Sequence, residues 1–452
     1  MMQRRDFFKL MAAAGLTASL PLTSKSAEAA ALNKFVVVVN AGGGWDPTSL
    51  IDPKGQNAAY PERAVDGYDG SVNKVALNDA NRVGDIQWSD VPRINNDDAT
   101  TERVAAQYAN FFAALGTKLV VINGIDYGTN NHDSGNRATW SGKLDMGYPS
   151  MAALYAAQHA PELPMSYISN GGYDFTAGLV ARTRANNANY LNELADPNAV
   201  DANNGFFYRD KNGHADTYSI IENAQQARLN RQKTTETMPL RRSQINQLFT
   251  VRSANSDLSA MKGHIDLLNT NLVKSSTWFN RADSLKTQAQ VVSAAFASGL
   301  AASANLSVGG FDTHGNHDNS HFQSMGDLLE GIHYLMLCLQ ELGVADKTTV
   351  LVGSDFGRTP YYNSGNGKDH WQVTSMMAIM PTVTGGRVFG ATDARFNAMK
   401  VNLQTGLADS QGEVLTPAIV QKQLRKLVGI TNSSLLAAYP LTGSEANIFG
   451  AV

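Results

Sequence analysis

The sequence predicts an α/β fold in which helices cover both faces of a mostly parallel sheet. The first observation is a set of short apolar runs, such as KFVVVVN at 34–40, which are typical of strands buried on both faces. The second is that these runs alternate along the chain with helical segments, as they do in parallel sheets. The third is that several runs end in a polar, glycine-containing turn that carries an aspartate.

The predicted strands and helices follow one another along most of the chain. We expect strands at 34–40, 118–123, 164–170, 306–310, 348–354 and 375–380. We expect helices, with apolar or small residues on the side that packs on the sheet, at 100–115, 148–159, 289–304, 321–342 and 416–428. Residues 55–99 are rich in Asn, Asp and Gly, which indicates surface loops.

Residues 173–286 are predicted to form a largely helical insertion or cap. The segment 173–213 is rich in Asn, Ala and Asp without a clear period, whereas 217–286 is mostly helical in composition. A basic run within it is either a solvated helix face or a surface that gathers anionic substrates. Its members are Arg228, Arg231, Lys233, Arg241 and Arg242.

The first 30 residues are predicted to be a twin-arginine export signal, and residues 31–452 the folded domain. Arg4 and Arg5 precede a Phe pair, a short Ala/Leu-rich run and small residues suited to cleavage. The apolar run is short and contains Gly15, so we expect no membrane span in the mature form, the alternative being an uncleaved anchor. This export route carries folded proteins, often with a metal or cofactor in place, which predicts a periplasmic or secreted protein.

Charge and cysteine content exclude two classes of protein. Without the four basic and two acidic groups of residues 1–30, the chain has 33 basic and 38 acidic side chains, a balance that excludes nucleic-acid binding. Cys338 is the single cysteine and lies in an apolar helical run, where we expect a buried small hydrophobic side chain. An internal disulfide is therefore excluded, so core packing or a metal must stabilise the exported protein.

Six polar side chains are predicted to meet at the carboxyl edge of the sheet, where open α/β sheets bind ligands. Three of them are aspartates that each follow a separate strand, and the others lie in the Gly-containing turns beside them. Carboxylates mixed with imidazoles suit zinc foremost, with manganese or calcium as alternatives. We therefore expect one or two divalent ions, held by Asp46, Asp312, His314, Asp355, Asp369 and His370.

Several of these residues have a second interpretation. Asp46 either binds metal or caps the turn that follows it. His317 is either a ligand or a surface neighbour of the ligands. Asp369 either binds metal or orients His370 from behind.

A polar turn at 128–140, between a strand and a helix, is predicted to present catalytic side chains at a helix N-terminus. His132 is expected to orient or protonate the reacting group, and Ser134 to act as the nucleophile. The alternative is an Asn/Asp-rich turn in which Ser134 only caps the helix. Arg358 is expected either to steady a developing negative charge or to pair with a local carboxylate.

Three motifs resemble those of a secreted bacterial family called domain of unknown function 1501. They are GGFDTHGNH at 309–317, GSDFGRT at 353–359 and GKDHW at 367–371, in this order behind the twin-arginine signal. The segment that contains Asn131-His132 and Trp140-Ser141-Gly142 is also similar to this family. The family in turn resembles the alkaline phosphatase and sulfatase superfamily, which implies a three-layer α/β/α fold, a two-metal site that usually holds zinc, and a Ser, Thr or modified Cys nucleophile.

The resemblance implies particular ligands and also shows departures from the superfamily. Asp46, Asp312 with His314 or His317, and His370 match its ligand positions. Where the superfamily has Asp-His, this chain has Asp355-Phe356, so one ligand of the second metal is missing. No cysteine is suitably placed to become a formylglycine, which excludes sulfatase chemistry of that kind.

The predicted function is periplasmic, metal-dependent hydrolysis of phosphate or sulfate esters, with a small anionic ester as the substrate. In this hypothesis Asp312, His314 and His370 hold one metal, while Asp46 and Asp355 hold or flank a second. Ser134 or a metal-bound hydroxide attacks. The alternative is a non-catalytic exported binding or assembly protein on the same scaffold, which Phe356 and the poor match around Ser134 favour. A third hypothesis is a structural metal that only pins the strand ends.

Overall fold

The computed structural model describes ten stretches of the chain. They are residues 34–64, 69–185, 199–201, 206–207, 216–239, 241–242, 245, 255–272, 280–381 and 384–450. The predicted export signal lies outside the described residues, and so does part of the predicted insertion.

Short strands and longer helices alternate through the described chain. The strands are β1 (Phe35–Gly42), β2 (Arg82–Val83), β3 (Ile86–Gln87), β4 (Leu119–Asp126), β5 (Tyr167–Ser169), β6 (Arg182–Thr183), β7 (Ala199–Asp201), β8 (Phe206–Phe207), β9 (Ser303–Gly309), β10 (Thr348–Ser354), β11 (Gly357–Arg358), β12 (His370–Trp371), β13 (Val373–Ile379), β14 (Arg387–Phe389), β15 (Lys400–Val401) and β16 (Glu413–Val414). The helices are α1 (Asp98–Leu115), α2 (His132–Ser141), α3 (Met151–His159), α4 (Asp216–Thr235), α5 (Asn255–Asn271), α6 (Asn280–Ala297), α7 (His317–Glu341), α8 (Pro417–Leu427) and α9 (Ser433–Ala438).

Eight strands form one sheet in the order β14-β4-β13-β10-β1-β9-β5-β6. Every neighbouring pair is parallel except the two made by β13, which runs antiparallel to both β10 and β4. The mostly parallel sheet is therefore confirmed.

Helices cover the two faces of this sheet. On one face α6 packs on β9 and joins α7 and α1 in a single layer. On the other face α3 contacts β1, β5 and β9, while α2 contacts β10 and packs on α8. The predicted three-layer α/β/α architecture is confirmed.

The centre of the sheet is apolar because β1 is covered on both faces. The four consecutive valines at 36–39 are all buried, as the continuous β-branched run predicts. The Phe35 ring stacks on the Phe296 ring of α6 with centroids 4.6 Å apart. On the other face, α3 contacts β1 and the neighbouring β9, where Ser303 Oγ donates to the Ala152 carbonyl of α3 at 2.7 Å. β1 is thus held between two helical layers.

The strand order decides which loops meet at the carboxyl edge of the sheet. β10, β1 and β9 are adjacent and parallel, so the aspartates after them emerge together at this edge. Because β13 runs the other way, the segment that precedes it, including His370, also starts there. A single antiparallel strand thereby brings a fourth loop to the same edge.

Several boundaries differ from the prediction, among them the end of α6 and the start of β9. The helix expected at 289–304 is α6, which ends at Ala297, and the strand expected from 306 is β9, which starts at Ser303. The Ala- and Ser-rich sequence at 301–304 has weak strand propensity, but pairing with β1 and β5 extends the strand through it. Within the predicted insertion, β6 pairs with β5 and so belongs to the sheet.

None of the helices that the structure describes combines the length and the apolar character needed to cross a membrane.

The central strands are expected to supply much of the stability. Leu351 of β10 is fully buried between β1 and β13. Leu351→Ala should lower the free energy of unfolding by about 2–5 kcal/mol, because it removes buried methyl groups and leaves a cavity. The matched control is Leu407→Ala, since Leu407 is 68% exposed and should be close to neutral. Urea unfolding of both variants checks this, and equal stabilities would contradict the assigned core.

Candidate metal centre

The loop after β1 and the loop after β9 approach each other closely at the carboxyl edge. Gly43 has a φ of +119°, and a Cβ atom on it would lie 2.6 Å from the backbone nitrogen of Asp312. Glycine is therefore required there both for the backbone conformation and for the space. The predicted Gly-rich turn brings the two loops together.

The start of α2 brings His132 to the same edge. Asn131 is the N-cap of α2, and its side chain accepts a hydrogen bond from the backbone N–H of Ser134. The cap makes His132 the first residue of the helix. Its Nε2 lies 3.8 Å from Asp312 Oδ2.

Four side chains surround one point above the sheet. His314 Nε2 lies 3.0 Å from His370 Nε2 and 3.1 Å from Asp312 Oδ1. His370 Nε2 lies 3.5 Å from the same Asp312 oxygen. Ligand atoms of His132, Asp312 and His370 also lie within 4.8 Å of one another. The structure thus brings together the predicted ligands Asp312, His314 and His370, with His132 beside them.

Each of the three imidazoles in this group is fixed from behind through Nδ1. The contacts are His132 Nδ1 to Asp355 Oδ2 at 2.8 Å, His314 Nδ1 to Asp369 Oδ1 at 2.7 Å, and His370 Nδ1 to the Asn130 carbonyl at 2.8 Å. All three partners are hydrogen-bond acceptors when the carboxylates are ionised. We therefore assign the proton of each neutral ring to Nδ1, which leaves a bare lone pair on every Nε2.

With all three rings neutral, this arrangement is repulsive until a cation or an added proton enters it. Two Nε2 lone pairs face each other at 3.0 Å, and a carboxylate oxygen lies about as close, with no proton assigned between them. Nδ1 held by oxygen and Nε2 turned inward is the pattern of metal-binding histidines in proteins. The donor chemistry of the site therefore fits a divalent ion.

The spacing of the donor atoms also fits zinc. Ligand atoms about 2.1 Å from a tetrahedral zinc ion stand about 3.4 Å from one another. The distances among Asp312 Oδ1, His314 Nε2 and His370 Nε2 are 3.0, 3.1 and 3.5 Å. Three protein ligands with one further position are typical of catalytic rather than structural zinc sites.

Asp355 and Asp369 lie behind the donor atoms instead of among them. Asp355 is buried, and its Oδ2 accepts from both His132 and the backbone N–H of Gly43. One sequence interpretation had Asp369 orienting His370, but in the structure Asp369 holds His314 instead. Both were predicted as metal ligands, and the structure gives them the role of orienting a ligand or a neighbouring histidine.

Burial and neighbouring charge shift the ionisation of three of these groups. Burial raises the pKa of Asp355, although the hydrogen bond from His132 opposes the shift. Burial also acts to raise the pKa of Asp312, but the hydrogen bond and charge of Arg358 outweigh it, so the pKa is lowered. Burial lowers the pKa of His370. The Asp312 carboxylate and the neutral His370 ring are both the forms that bind metal.

Arg358 is not available to a substrate, contrary to one of the predictions. It is fully buried, and its Nε and Nη1 donate to the carbonyls of Gly44 and Lys368 at 2.8 and 3.0 Å. Its Nη2 donates to the Gly43 carbonyl and to Asp312 Oδ1, the latter at 2.6 Å. Arg358 therefore fixes Asp312 and the loop after β1, which is the alternative that the sequence left open.

Ser134 is also engaged elsewhere. Its Oγ lies 2.8 Å from Thr129 Oγ1 and contacts the Asn131 carbonyl and side chain. Its hydroxyl belongs to the capping turn of α2, and Ser134 lies two residues after His132, so it points from a different side of the helix. The predicted nucleophilic role is not supported by this placement.

Asp46 is separated from the metal ligands by its own partners. Its Oδ1 accepts from the backbone N–H and the hydroxyl of Thr48, and its Oδ2 accepts from Ser49 Oγ. Oδ2 also lies 2.7 Å from Lys368 Nζ and 3.2 Å from His317 Nε2. Five donors occupy the carboxylate, so the structure corrects the prediction that Asp46 binds a second metal.

Lys368 was not predicted as a site residue. It is fully buried, and its Nζ also donates to the Val72 carbonyl at 2.8 Å. Burial acts to raise the pKa of Asp46, but the Lys368 charge and the His317 hydrogen bond outweigh it and hold the pKa well below its usual range. The sequence signal that could have identified Lys368 is its place in GKDH, next to the predicted ligand Asp369. Its partner Asp46, however, lies 322 residues away in the sequence.

His317 and His321 form a second, fully buried imidazole pair beneath the exposed ligands. Their rings stack with centroids 4.3 Å apart. His317 Nδ1 and His321 Nδ1 both contact the Thr313 hydroxyl, at 2.7 and 3.1 Å. His321 Nε2 accepts the backbone N–H of Asp46 at 2.9 Å. The sequence placed His317 as a ligand or a surface neighbour, and it is neither.

Phe356 fills the position where the superfamily was expected to have a histidine. It is fully buried, and its ring centroid lies 4.7 Å from that of His132 and 4.4 Å from that of His370. The apolar ring supports the two imidazoles from below and offers no ligand atom. This departure is consistent with a single metal ion.

The family described as "Protein of unknown function (DUF1501)" matches residues 33–426. Similar solved structures include Ps i-CgsB, with 9% identity and a TM-score of 0.40 over 91% of this chain and 75% of that chain. They also include the lipoteichoic acid synthase LtaP from Listeria monocytogenes (7% identity, TM-score 0.37, 90% and 74% coverage) and a putative sulfatase from Bacteroides thetaiotaomicron (7% identity, TM-score 0.33, 92% and 76% coverage). Comparison with curated proteins gave no match.

The role of Asp46 can be tested in metal-free protein. Asp46→Ala should lower the free energy of unfolding by about 3–5 kcal/mol in the presence of a chelator, because it leaves Lys368 buried without its counter-ion. The control is Asp369→Ala, whose half-exposed carboxylate should cost about 1 kcal/mol. Urea unfolding of both variants checks this. Equal stability of the two would contradict the ion pair.

The neutral imidazole pair predicts a pH dependence of stability. Burial lowers the pKa of both His317 and His321, so the unfolded chain binds protons at these positions before the folded chain does. Stability of the metal-free protein should therefore fall as the pH drops below about 6.5, by about 1 kcal/mol per pH unit for each imidazole. His321→Gln should reduce this slope. An unchanged slope in His321→Gln would contradict the assignment.

Proposed function

We propose that this chain, which belongs to the DUF1501 family over residues 33–426, catalyses metal-dependent hydrolysis of phosphate or sulfate esters outside the cytoplasm. The family match confirms the resemblance seen in its motifs. The single observation that carries this proposal is that three imidazole rings turn their Nε2 atoms towards Asp312. Each ring is held in that orientation by a hydrogen-bond acceptor at Nδ1. The family description names no activity.

One metal ion is proposed, held by Asp312, His314 and His370. Such an ion would supply Lewis-acid chemistry, because it would polarise an ester oxygen and lower the pKa of a bound water molecule. The second ion expected from the superfamily is not part of this proposal. Asp46 is saturated by five donors, and Phe356 provides no ligand atom.

The charges around the centre favour the binding of an anionic substrate only when the metal is present. The carboxylates of Asp312, Asp355 and Asp369 face the three imidazoles, and Arg358 provides one positive charge. The metal-free centre therefore has an excess of negative charge and would repel a phosphate or sulfate ester. A divalent ion neutralises that excess, which makes metal binding a condition for substrate binding.

His132 is proposed as the group that moves a proton. Its Nδ1–H is held by buried Asp355, and its Nε2 lone pair faces the reacting side. Taking a proton at Nε2 would make an imidazolium that the Asp355 carboxylate stabilises across the 2.8 Å hydrogen bond. With the Ser134 hydroxyl engaged in its capping turn, water is the nucleophile in this proposal.

Export in a folded state agrees with this site. The ligands come from two loops, one after β9 and one before β13, that only the folded sheet brings together, so metal can bind only after folding. A twin-arginine route, as residues 1–30 predict, would carry the loaded protein to the periplasm. Localisation stays a prediction, and fractionation of cells that express the full chain tests it.

The test combines metal analysis with turnover. We expect about one equivalent of zinc or manganese in protein purified without chelator, and hydrolysis of an aryl phosphate or aryl sulfate that a chelator abolishes. His370→Ala should lose the metal and the activity. His132→Gln should keep the metal but lower kcat by about 10²–10⁴-fold, because it removes only the proton transfer. The control is His159→Gln, at the far end of α3, which should change neither.

Each contrary result has a defined meaning. Folded wild-type protein without metal would contradict the proposal altogether. Metal binding without turnover of either ester class would favour the non-catalytic binding protein on the same scaffold. Loss of metal in His132→Gln would make His132 a fourth ligand and leave the proton transfer to another group.

A further inference from the structure

We propose that the Thr313 hydroxyl is a positioning group that couples the exposed metal ligands to a closed ring of buried hydrogen bonds beneath them. The inference rests on the metal of the proposed function but not on the reaction. Thr313 lies between the ligands Asp312 and His314 in sequence. Asp312 and His314 are exposed, whereas Thr313 is buried, so the turn presents two ligands outward and one hydroxyl inward.

The direction of each hydrogen bond in the ring follows from one fixed donor. The backbone N–H of Asp46 can only donate, so His321 Nε2 accepts it and the proton of that ring is on Nδ1. His321 Nδ1–H then donates to Thr313 Oγ1 at 3.1 Å. The hydroxyl has one proton left to give, and it donates to His317 Nδ1 at 2.7 Å.

The ring closes at the residue where it began. With Nδ1 of His317 accepting, its proton is on Nε2, which donates to Asp46 Oδ2 at 3.2 Å. The opposite assignment would place a bare nitrogen against that carboxylate. Asp46, His321, Thr313 and His317 therefore form a circuit in which both imidazoles are neutral, and Thr313 is the one member that accepts from one ring and donates to the other.

The ring is attached to the other loops that carry the centre. Lys368 Nζ binds Asp46 Oδ2, and the next two residues along the chain are Asp369, which holds His314, and the ligand His370. Asp46 also ends the loop in which the Gly43 and Gly44 carbonyls hold Arg358, the residue that binds Asp312. One buried ring thus connects the loop after β1 with the two loops that carry the proposed ligands, after β9 and before β13.

The spacing of His317 and His321, four residues apart on α7, is typical of a pair of metal ligands. Their hydrogen bonds exclude that role here. His321 Nε2 is occupied by the Asp46 N–H, and His317 Nε2 carries the proton that binds Asp46 Oδ2. Both Nδ1 atoms are occupied by Thr313. Removing the Thr313 hydroxyl would leave one buried donor and one buried acceptor without a partner.

The test compares metal affinity in three variants of the full chain. Thr313→Val keeps the shape but removes the hydroxyl, and the zinc dissociation constant should rise about 10–100-fold, as for other partners that orient ligands from behind. Thr313→Ser restores the hydroxyl and should bind zinc within about twofold of wild type. Thr348→Val, which removes a buried hydroxyl at the opposite edge of the sheet, is the matched control and should also bind normally. Competition titration with a chromophoric chelator measures all three.

The absorption spectrum of the cobalt-substituted protein provides a second readout, because it reports ligand geometry independently of turnover. Thr313→Val should change its intensity, and Thr313→Ser should restore it. If Thr313→Val does not fold, His321→Gln replaces it, since a glutamine oxygen can accept the Asp46 N–H but cannot reach Thr313. Normal zinc affinity in whichever of these two variants is folded would overturn the inference, and so would an equal loss of affinity in Thr348→Val. A wild-type protein that binds no zinc would overturn the proposed function and this inference together, whereas zinc binding without ester turnover would affect only the former.

Discussion

The candidate metal centre is built from donor atoms that repel one another and are nevertheless held close together, with no proton assigned between them. Two imidazole lone pairs and a carboxylate oxygen lie 3.0–3.5 Å apart, each fixed from behind by its own hydrogen bond. Keeping them there costs free energy, which the folded sheet and its loops must supply. A divalent ion would turn the same arrangement into attraction. The free energy of metal binding is therefore coupled to how firmly the loops hold these donor atoms in place.

The buried polar layer beneath the centre holds these loops in place. The Asp46–Lys368 ion pair and the His317–Thr313–His321 contacts are fully enclosed, where an unpartnered polar group would cost most. A fully satisfied network of this kind specifies one arrangement of the loops above it. Arg358 acts similarly from the other side by binding Asp312 and two glycine carbonyls. The exposed layer is thus free to present donor atoms, because the buried layer fixes the backbone.

Much of the fold and part of the centre were predictable from the sequence. Continuous β-branched runs identify the parallel strands, and the turns after them identify Asp312, His314 and His370, because these signals are local. Asp46, Ser134 and Arg358 were assigned functions that their actual partners do not support. For Ser134, and for Asp46 with Thr48 and Ser49, the partners are local capping groups, which the sequence offered as the alternative. The contacts of Asp46 with Lys368 and of Arg358 with Asp312 depend on strand order and on side chains far along the chain, which no period or spacing reveals. Thr313 was missed because a buried threonine in a turn has no distinctive pattern.

Whether Asp312, His314 and His370 hold a single ion can be tested by anomalous diffraction from zinc-soaked crystals, recorded at the zinc absorption edge. We expect one strong peak about 2 Å from Asp312 Oδ1, His314 Nε2 and His370 Nε2, and no peak at Asp46. A peak bound by Asp46 in place of Lys368, or the absence of a peak at the three ligands, would show that this assignment is wrong.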